Sequence, residues 1–544
     1  MVQMEQKQNK QERPLVLVIA GLDSGGGAGV TADIISVHDQ GAWGLPVVTA
    51  LTCQSLKRVT LVEPTRVEIF KESIEVALKD WQEPISAIKV GLVTEAKVLD
   101  CLLDLLETTL KGIPVIWDPV LTATAGRLDS ADLKANLARI LAVTTLFTPN
   151  LPEALELAGW QASELESKGG IFKLGEFFRN LGAKAVLIKG GHNSAKSEAE
   201  DAFSSASHNF IMTHAKKEGD GAHGGGCALS SSIAGLVATG YPLHDAVVMG
   251  KAYVTQGIFE PELVAYQARP PLAHHGLQYA LDYMPRIIEE NFPNVPADAP
   301  AFPSCPFNLG LYPVVDSAEW VDRLLALGVK TIQLRIKTAV VDDENNTALC
   351  EEIKRACFLG RSYRARVFID DHYRLAARYG AYGVHLGQED LEKADLDFIR
   401  AKGLRLGVST HGIYEVCKVM SLKPSYVAIG HIFPTQTKDM PSQPQGLTRA
   451  GLQARMLKGV VPTVGIGGIK LDQAEHALAE GLDSLAVVTA ITKAENPCTE
   501  TQKWIAICRT GPSELFGEPA VLWHERQDEQ NLPAPQPLCK CQRQ

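Results

Sequence analysis

"PLVLVIAGLDSGGGAG", residues 14–29, decides the fold of the first half of this chain. A run of aliphatic and β-branched residues passes directly into a glycine-rich loop, and a helical pattern follows the loop. Such a strand–loop–helix unit, repeated along the chain, predicts parallel strands in an α/β fold. Further buried strands are predicted at PVVTALT, AIKVGL, VIWDP, TLFTPN and AVLIKGG.

A second alternating series begins at Asn308. Eight apolar runs separated by helical patterns predict a TIM (β/α)8 barrel, whose active site lies at the C-terminal ends of the strands. The predicted strands are NLGLYPVVD, TIQLRIK, RVFIDD, GVHLGQ, RLGVST, YVAIGHIF, PTVGIGG and SLAVVTAI.

The two series divide the chain into domains. We expect a first domain over residues 14–284 and a second over 308–510. Between them, residues 285–307 are rich in proline and poor in periodicity, which predicts a semi-rigid spacer. The polar segments at residues 1–13 and 511–544 are predicted to be disordered.

Composition restricts the function. The chain has 544 residues and a net charge of −10, which argues against general nucleic-acid binding. No apolar run is long enough to span a bilayer, and the polar start lacks the core of a signal peptide. The 11 scattered cysteines are typical of reduced thiols, so a cytoplasmic location is expected.

A glycine-rich turn precedes a small-residue helix in GAHGGGCALSSSIAGLVATG, residues 221–240. Backbone N–H groups at such a helix start favour an anion, so Gly224, Gly225, Gly226 and Cys227 are candidate catalytic residues. A flexible turn is the alternative. In TPNLPEALEL, the spacing of Asn150 and Glu153 suits either a metal–phosphate group or a helix cap.

The order IAG-D-SGGGAG, ALTCQS, DPV, TPNLPEA, KGGH and HG-GC resembles the hydroxymethylpyrimidine/phosphomethylpyrimidine kinases of the ribokinase-like family. The resemblance covers about residues 15–259. It implies a three-layer α/β/α domain, ATP as co-substrate, Mg²⁺ and an aminopyrimidine alcohol. It also implies that Asp33 and Gln54 contact the pyrimidine, that Asn150 and Glu153 organise Mg²⁺ and phosphate, that Lys189 holds ATP and that Cys227 is the base.

Three positions depart from the family's motifs. Thr124 stands where a lysine is usual, Ala222 where a threonine is usual, and Gly225 lies within HGGGC in place of HGTGC. These departures leave open a second interpretation, in which the first domain is a pyrimidine-binding regulatory module without kinase activity. A sugar or pyridoxal kinase fused to another phosphate-binding barrel is a third.

The predicted barrel carries charged and polar residues at its strand ends. Asp371 and Asp390 are hard oxygen ligands suited to Mg²⁺ held jointly with a phosphate group, although each alone also suits a helix cap. Arg335, Lys337 and Lys438 can neutralise a diphosphate. Gly468 and Val488-Thr489 end the last two strands, where barrels usually bind phosphate.

The motifs QLRIK, HLGQED, GVST, GH-FPTQTK and GIGGI closely resemble thiamine phosphate synthase, over about residues 309–492. The resemblance implies that a thiazole nitrogen attacks the pyrimidine CH₂ group as diphosphate leaves. It implies a pyrimidine diphosphate site made by Gln333, Arg335, Lys337, Asp370, Ser409 and Lys438. It implies a thiazole phosphate site made by Thr435, Gln436, Thr437, Gly468, Val488 and Thr489. Asp370 replaces the family's usual asparagine.

The expected partners are therefore small molecules: ATP, the aminopyrimidine alcohol with its phosphates, and the thiazole phosphate. The oligomeric state, including a homo-oligomer, is left open by the sequence.

Overall fold

The computed structural model describes residues 12–55, 58–123, 126–127, 132–166, 169–191, 197–217, 222–261, 270–276, 280–293, 295–296, 298–435 and 443–509. The chain divides into two compact units, Met1–Glu290 and Asn291–Gln544. The predicted disordered segments, residues 1–13 and 511–544, lie outside the described residues except for Glu12 and Arg13. Within the described ranges, no helix combines the length and the apolarity that crossing a bilayer requires.

The first unit is built around a ten-stranded sheet. Its strands, with the separate hairpin β6–β7, are β1 Leu15–Asp23, β2 Trp43–Gln54, β3 Val59–Pro64, β4 Ile85–Val90, β5 Val115–Trp117, β6 Thr122–Ala123, β7 Gly126–Arg127, β8 Leu146–Phe147, β9 Ala185–Lys189, β10 Glu198–Ser205, β11 Asn209–Ala215 and β12 Arg286–Ile288. Its helices are α1 Gly29–Asp39, α2 Val67–Asp80, α3 Ala96–Glu107, α4 Leu137–Ala142, α5 Leu151–Ala158, α6 Gly170–Asn180, α7 Gly225–Ala238 and α8 Leu243–Phe259.

The sheet order is β12-β11-β10-β9-β8-β5-β4-β1-β2-β3. The six predicted strands form its parallel centre from β9 to β2, which confirms that prediction. Antiparallel strands, which were not predicted, extend both edges: β3 on one side and β10 to β12 on the other.

Helices cover both faces of this sheet. Alternate residues of β1 point to opposite faces, and Leu15, Leu17 and Ile19 belong to an apolar core shared with α2 to α6. The intervening Val16 and Val18 are buried outside that core, and α1 and α7 also contact β1. The result is the expected three-layer α/β/α arrangement.

The second unit is a closed barrel of eight parallel strands, which confirms the TIM-barrel prediction. Its strands are β13 Leu311–Val315, β14 Thr331–Leu334, β15 Arg366–Asp370, β16 Gly383–Leu386, β17 Arg405–Thr410, β18 Tyr426–Ile429, β19 Thr463–Gly465 and β20 Ser484–Val487. Its helices are α9 Ala318–Ala326, α10 Thr347–Ser362, α11 Tyr373–Tyr379, α12 Gln388–Leu391, α13 Leu396–Ala401, α14 Ile413–Met420, α15 Gly446–Leu457, α16 Leu471–Ala479, α17 Thr489–Thr492 and α18 Pro497–Arg509.

The predicted spacer, residues 285–307, is not free along its length. Its first part supplies β12, which pairs antiparallel with β11 and so belongs to the sheet of the first unit. Its later part is bonded to the barrel, because Arg400 donates to the carbonyl of Pro300 at 3.0 Å and Arg405 donates to that of Ser304 at 2.9 Å. The sequence did not predict the pairing of β12 or the bonds to the barrel, because neither of them requires a periodic apolar pattern.

Candidate active sites

The first candidate site surrounds the start of α7. Gly224 caps this helix with a φ of 84°, and Gly225, Gly226 and Cys227 form its first turn. The first N–H groups of a helix have no acceptor within the helix, so this turn presents a row of donors. A β-carbon at Gly224 would overlap the carbonyl oxygen of Gly27 in the first glycine-rich loop. The two glycine-rich segments therefore meet.

The residue that requires glycine is Gly224, not Gly225. Gly225 does not have a positive φ, and a β-carbon there would find its nearest neighbour, in Val254, at 3.7 Å. The surroundings of Gly225 therefore have room for a methyl group.

Charged side chains from neighbouring strands gather beside this turn. The Lys189 Nζ atom lies 2.6 Å from Asp118 Oδ1, and it would lie 3.3 Å from a β-carbon at Gly226. Burial alone would lower the pKa of Lys189, but the negative charges of Asp118 and Glu153 raise it. Lys189 is therefore held as a cation next to the α7 N-terminus.

Asn150 and Glu153 form the capping arrangement that the sequence left open. The Glu153 N–H donates to Asn150 Oδ1 at 2.9 Å, and the Asn150 N–H donates to Glu153 Oε2 at 2.8 Å. Burial raises the pKa of Glu153 to about 7, although Lys189 opposes the shift. The same two residues thus start α5 and bring a carboxyl group close to Lys189, so the two interpretations are compatible.

Cys227 lies in the first turn of α7, and burial has the largest effect on the acidity of its thiol. Burial raises the pKa of its thiol to about 11, and the nearby Lys89 ammonium lowers it only in part. At neutral pH the thiol is therefore protonated, because desolvation disfavours the thiolate, and the base role that the resemblance implies for Cys227 stays a prediction.

Asp33 is enclosed next to Lys89 and Ser231. Its side chain is fully buried, its Oδ2 atom lies 2.6 Å from Lys89 Nζ, and its Oδ1 atom accepts from Ser231 at 2.7 Å. These contacts do not test the predicted contact of Asp33 with a pyrimidine, which stays a prediction. Gln54 is half-buried beside the first glycine-rich loop, where its N–H and C=O both bond to the Ser24 hydroxyl at 2.9 Å.

Sequence reasoning assigned no role to several residues of this site. Lys89 is a buried cation whose charge acts on Cys227, and Asp118 pairs with Lys189. Buried Asp23 and His223 lie 3.4 Å apart and join the two glycine-rich segments. Asp118 belongs to the DPV motif, and its position as an acidic residue at the end of a strand could have identified it as a site residue. Thr124 lies outside the described residues.

The second candidate site lies at the C-terminal ends of the barrel strands. Gln333, Arg335 and Lys337 converge on the buried carboxyl group of Asp370, at 2.7, 3.2 and 3.5 Å. Strand β14 ends at Leu334, so it is shorter than the predicted strand TIQLRIK, and Arg335 and Lys337 follow it. Burial, followed by the charge of Asp371, raises the pKa of Asp370 to about 7. The extra acid is therefore a partner for the two cations.

Asp371 and Asp390 are brought together. Their carboxyl groups are within hydrogen-bonding distance, and burial followed by the charge of Asp371 raises the pKa of Asp390. Lys337 Nζ lies 2.6 Å from Asp371 Oδ2. No cluster of three or more His, Cys, Asp or Glu side chains suited to a metal ion occurs among the described residues. Two facing carboxyl groups still suit Mg²⁺ that shares substrate oxygens, because Mg²⁺ commonly takes one or two protein carboxylates.

The remaining strand ends carry the other predicted residues. Ser409 is held by Gln388, whose Nε2 donates to its carbonyl at 2.7 Å, and by His385, which contacts its hydroxyl at 2.8 Å. Neither Gln388 nor His385 was predicted to have a role, although HLGQED contains both.

The loops that follow β18 and β19 are joined. Phe433 donates its N–H to the Gly467 carbonyl at 2.9 Å, and Gly468 has a φ of 66°. A β-carbon at Gly468 would lie 2.5 Å from the Pro434 carbonyl oxygen, so Thr435 is near Gly468. Val488 caps the short helix that begins at Thr489. Gln436, Thr437 and Lys438 lie outside the described residues.

Comparisons with known proteins match the two halves of the chain to two different families. The family model described as "Phosphomethylpyrimidine kinase" matches residues 23–270, and the one described as "Thiamine monophosphate synthase" matches residues 311–491. A "Thiamine-phosphate synthase" of Citrobacter koseri is 52% identical over 212 residues, which are 39% of this chain and 98% of the relative.

Two solved structures resemble the first half. A phosphomethylpyrimidine kinase from Clostridium difficile 630 is 30% identical, with a TM-score of 0.39 over 45% of this chain and 100% of that one. A pyridoxal kinase from Staphylococcus aureus in complex with ADP is 24% identical, with a TM-score of 0.44 over 49% and 94% of the two chains.

Proposed function

The chain belongs to the thiamine-phosphate synthase family through its second half and carries a phosphomethylpyrimidine kinase half, and we propose that the two clusters are its two active sites. It is a bifunctional transferase of thiamine biosynthesis. In the proposed sequence of reactions, the first site uses ATP to phosphorylate the hydroxymethylpyrimidine to its phosphate and then its diphosphate. The second site condenses that diphosphate with a thiazole phosphate.

The convergence of Gln333, Arg335 and Lys337 on Asp370 carries the assignment of the synthase site. Two cations at one strand end are costly to hold unless anions balance them, and Asp370 balances them before substrate arrives. The exposed part of Lys337 and the half-buried Arg335 then face the diphosphate. Their charge stabilises the diphosphate as the thiazole nitrogen displaces it, and no protein nucleophile is required.

Asp371 and Asp390 are the proposed holders of Mg²⁺. When bound, the ion would neutralise charge on the departing diphosphate. Burial first, and then the repulsion between the two carboxyl groups when both are ionised, raises the pKa of Asp390. A divalent cation relieves this repulsion, and Lys337 orients Asp371 from the other side.

The thiazole phosphate is assigned to the opposite strand ends. Gly468, Val488 and Thr489 offer backbone N–H groups where barrels commonly bind phosphate, and Thr435 comes from the adjoining loop. Gln436, Thr437 and Lys438 complete this assignment by resemblance alone.

In the kinase site, we assign the transferred phosphoryl group to the N–H groups of Gly225, Gly226 and Cys227. Lys189 supplies the adjacent positive charge, and Asn150 with Glu153 orients Mg²⁺ and the ATP phosphates. Gln54 contacts the pyrimidine. Asp33 holds Lys89, and Cys227 orients the alcohol as a neutral thiol.

The test of the synthase assignment is a magnesium titration of the Asp371→Asn and Asp390→Asn variants. Each change removes one anionic ligand but keeps an oxygen, so the Mg²⁺ concentration for half-maximal synthase rate should rise at least about tenfold. Kinase activity of the same preparations is the internal control. An unchanged Mg²⁺ dependence in both variants would refute the assignment.

A further inference from the structure

A chain of hydrogen bonds runs through the barrel interior to Ser409. The Tyr312 and Tyr426 hydroxyl groups are 2.7 Å apart, and the Tyr426 hydroxyl is 2.7 Å from His385 Nδ1. On the other side of the imidazole, His385 Nε2 is 2.8 Å from the Ser409 hydroxyl. Four side chains from β13, β16, β17 and β18 are thereby connected in series.

Packing fixes this chain in place. Tyr312, Tyr426 and His385 are all buried, and the His385 and Tyr426 rings stack with centroids 5.7 Å apart. Phe368 contacts both tyrosine rings. Gly407 is required beside them, because a β-carbon there would overlap the Tyr426 ring. The hydroxyl groups therefore have little freedom to seek other partners.

The direction of the chain follows from its buried end. In the part of the chain that the structure describes, Tyr426 is the hydrogen-bond partner of the Tyr312 hydroxyl. Burial raises the pKa of both phenols, so both keep their protons. A buried phenol proton without an acceptor carries a large desolvation cost, so Tyr312 donates to Tyr426.

That first donation sets every later one. With its oxygen accepting from Tyr312, Tyr426 directs its own proton to His385 Nδ1. A neutral imidazole has one N–H, which must then be on Nε2 and must donate to the Ser409 oxygen. If the hydrogen bonds ran in the opposite direction, Ser409 would donate its proton to His385 Nε2. The Tyr312 hydroxyl proton would then have no acceptor.

We propose that His385 is a positioning residue which, as its Nε2–H tautomer, orients Ser409 so that the serine hydroxyl donates a hydrogen bond to the departing diphosphate. This inference rests on the proposed synthase site, in which Ser409 contacts the diphosphate. Gln388 holds the Ser409 carbonyl at the same time, so both ends of the serine are fixed. Tyr312 acts through Tyr426 and His385 and touches no substrate.

Kinetics of the full chain test the coupling. Ser409→Ala should reduce synthase kcat by about 10²–10³, as loss of one charge-stabilising donor does. Tyr312→Phe keeps the ring but removes the directing proton, so kcat should fall roughly threefold to tenfold with little change in KM for the pyrimidine diphosphate. In the Ser409→Ala background, Tyr312→Phe should have no further effect. Thermal unfolding of the barrel in each variant is the control for folding, and kinase turnover is the control for the amount of intact chain.

Histidine NMR gives a second, independent readout. In the full chain labelled with ¹⁵N-histidine, the His385 resonances should show a protonated Nε2 and an unprotonated Nδ1. The resonances of His385 are identified by their disappearance in His385→Gln. If His385→Gln does not fold, their shift in Tyr426→Phe identifies them instead.

The outcomes separate the two ideas. If Ser409→Ala leaves synthase activity intact, the assignment of Ser409 to the diphosphate is wrong. If Ser409→Ala is slow but the Tyr312→Phe effect adds to it in full, the relay is wrong. A protonated Nδ1 in the wild-type chain also overturns the relay. A protonated Nε2 with non-additive kinetics supports it.

Discussion

Gly224 and Gly27 are packed so closely that a β-carbon on Gly224 would overlap the Gly27 carbonyl oxygen. This approach holds the α7 N-terminus against the first glycine-rich loop. It needs both the missing side chain and the positive φ of Gly224.

Gly224→Ala should therefore destabilise the kinase half and abolish most of its activity. The left-handed conformation alone costs an alanine roughly 1–2 kcal/mol, before the overlap is counted. Gly225→Ala is the matched control, since its site has space for a methyl group and is helical. Thermal unfolding of both variants and kinase turnover of Gly224→Ala check this, and equal unfolding temperatures of the two variants would contradict it.

Glu153→Gln should separate charge from structure. Glutamine can still accept from the Asn150 N–H, so α5 should keep its cap. The pKa of about 7 means that wild-type Glu153 loses its charge as the pH falls below neutrality. We expect wild-type kinase kcat to decline below about pH 7, whereas the variant is slow but lacks that limb. If kcat of the variant also declines below about pH 7, the decline is caused by the titration of another group.

Cys227 should react slowly with alkylating agents at neutral pH. Because the pKa of its thiol is about 11, the thiolate fraction rises with pH throughout the range from 7 to 10. Mass spectrometry of the iodoacetamide-labelled peptide measures this, and a rate that levels off below pH 8 would contradict it. Since a neutral hydrogen-bonding group is proposed, Cys227→Ser should retain more kinase activity than Cys227→Ala.

Asp370→Asn should weaken the pH dependence of pyrimidine diphosphate binding. The wild-type carboxyl group has a raised pKa of about 7, so it is neutral in acid and negative above neutrality. Its ionisation places a negative charge near the diphosphate, which should raise KM by about fivefold between pH 6 and pH 8. In the Asp370→Asn variant, KM for the pyrimidine diphosphate should not show this rise between pH 6 and pH 8. An identical rise in both would exclude Asp370 as its source.

The two halves should fold as separate fragments if the chain is divided between Glu290 and Asn291. A fragment ending at Glu290 keeps β12, whereas one ending at Met284 loses it, so the longer fragment should unfold at a higher temperature. Likewise, a barrel fragment beginning at Asn291 keeps the bonds from Arg400 and Arg405 to the preceding segment, and one beginning at Asn308 does not. Indistinguishable melting curves for long and short versions would show that these attachments contribute nothing.

The parallel strands could be predicted because they are buried on both faces and appear as continuous apolar runs. Strand β10 could not, because its sequence, EAEDAFSS, is polar in its first half. The same limit applies to the sites. Strand-end charges such as Arg335 and Asp371 were visible, but burial is a property of the folded chain. Burial raises the pKa of the Cys227 thiol and encloses the Asp33 carboxyl group, and no spacing rule in the sequence reports burial.

Strand β12 has a consequence for synthesis of the chain. The kinase sheet is completed by Arg286–Ile288, which leave the ribosome only after every other strand of that unit. At about 5–20 residues per second, the barrel segment from 291 to 509 then takes roughly 10–40 s to emerge. The kinase unit thus has an interval in which to close its last edge before the competing strands of the barrel are all present.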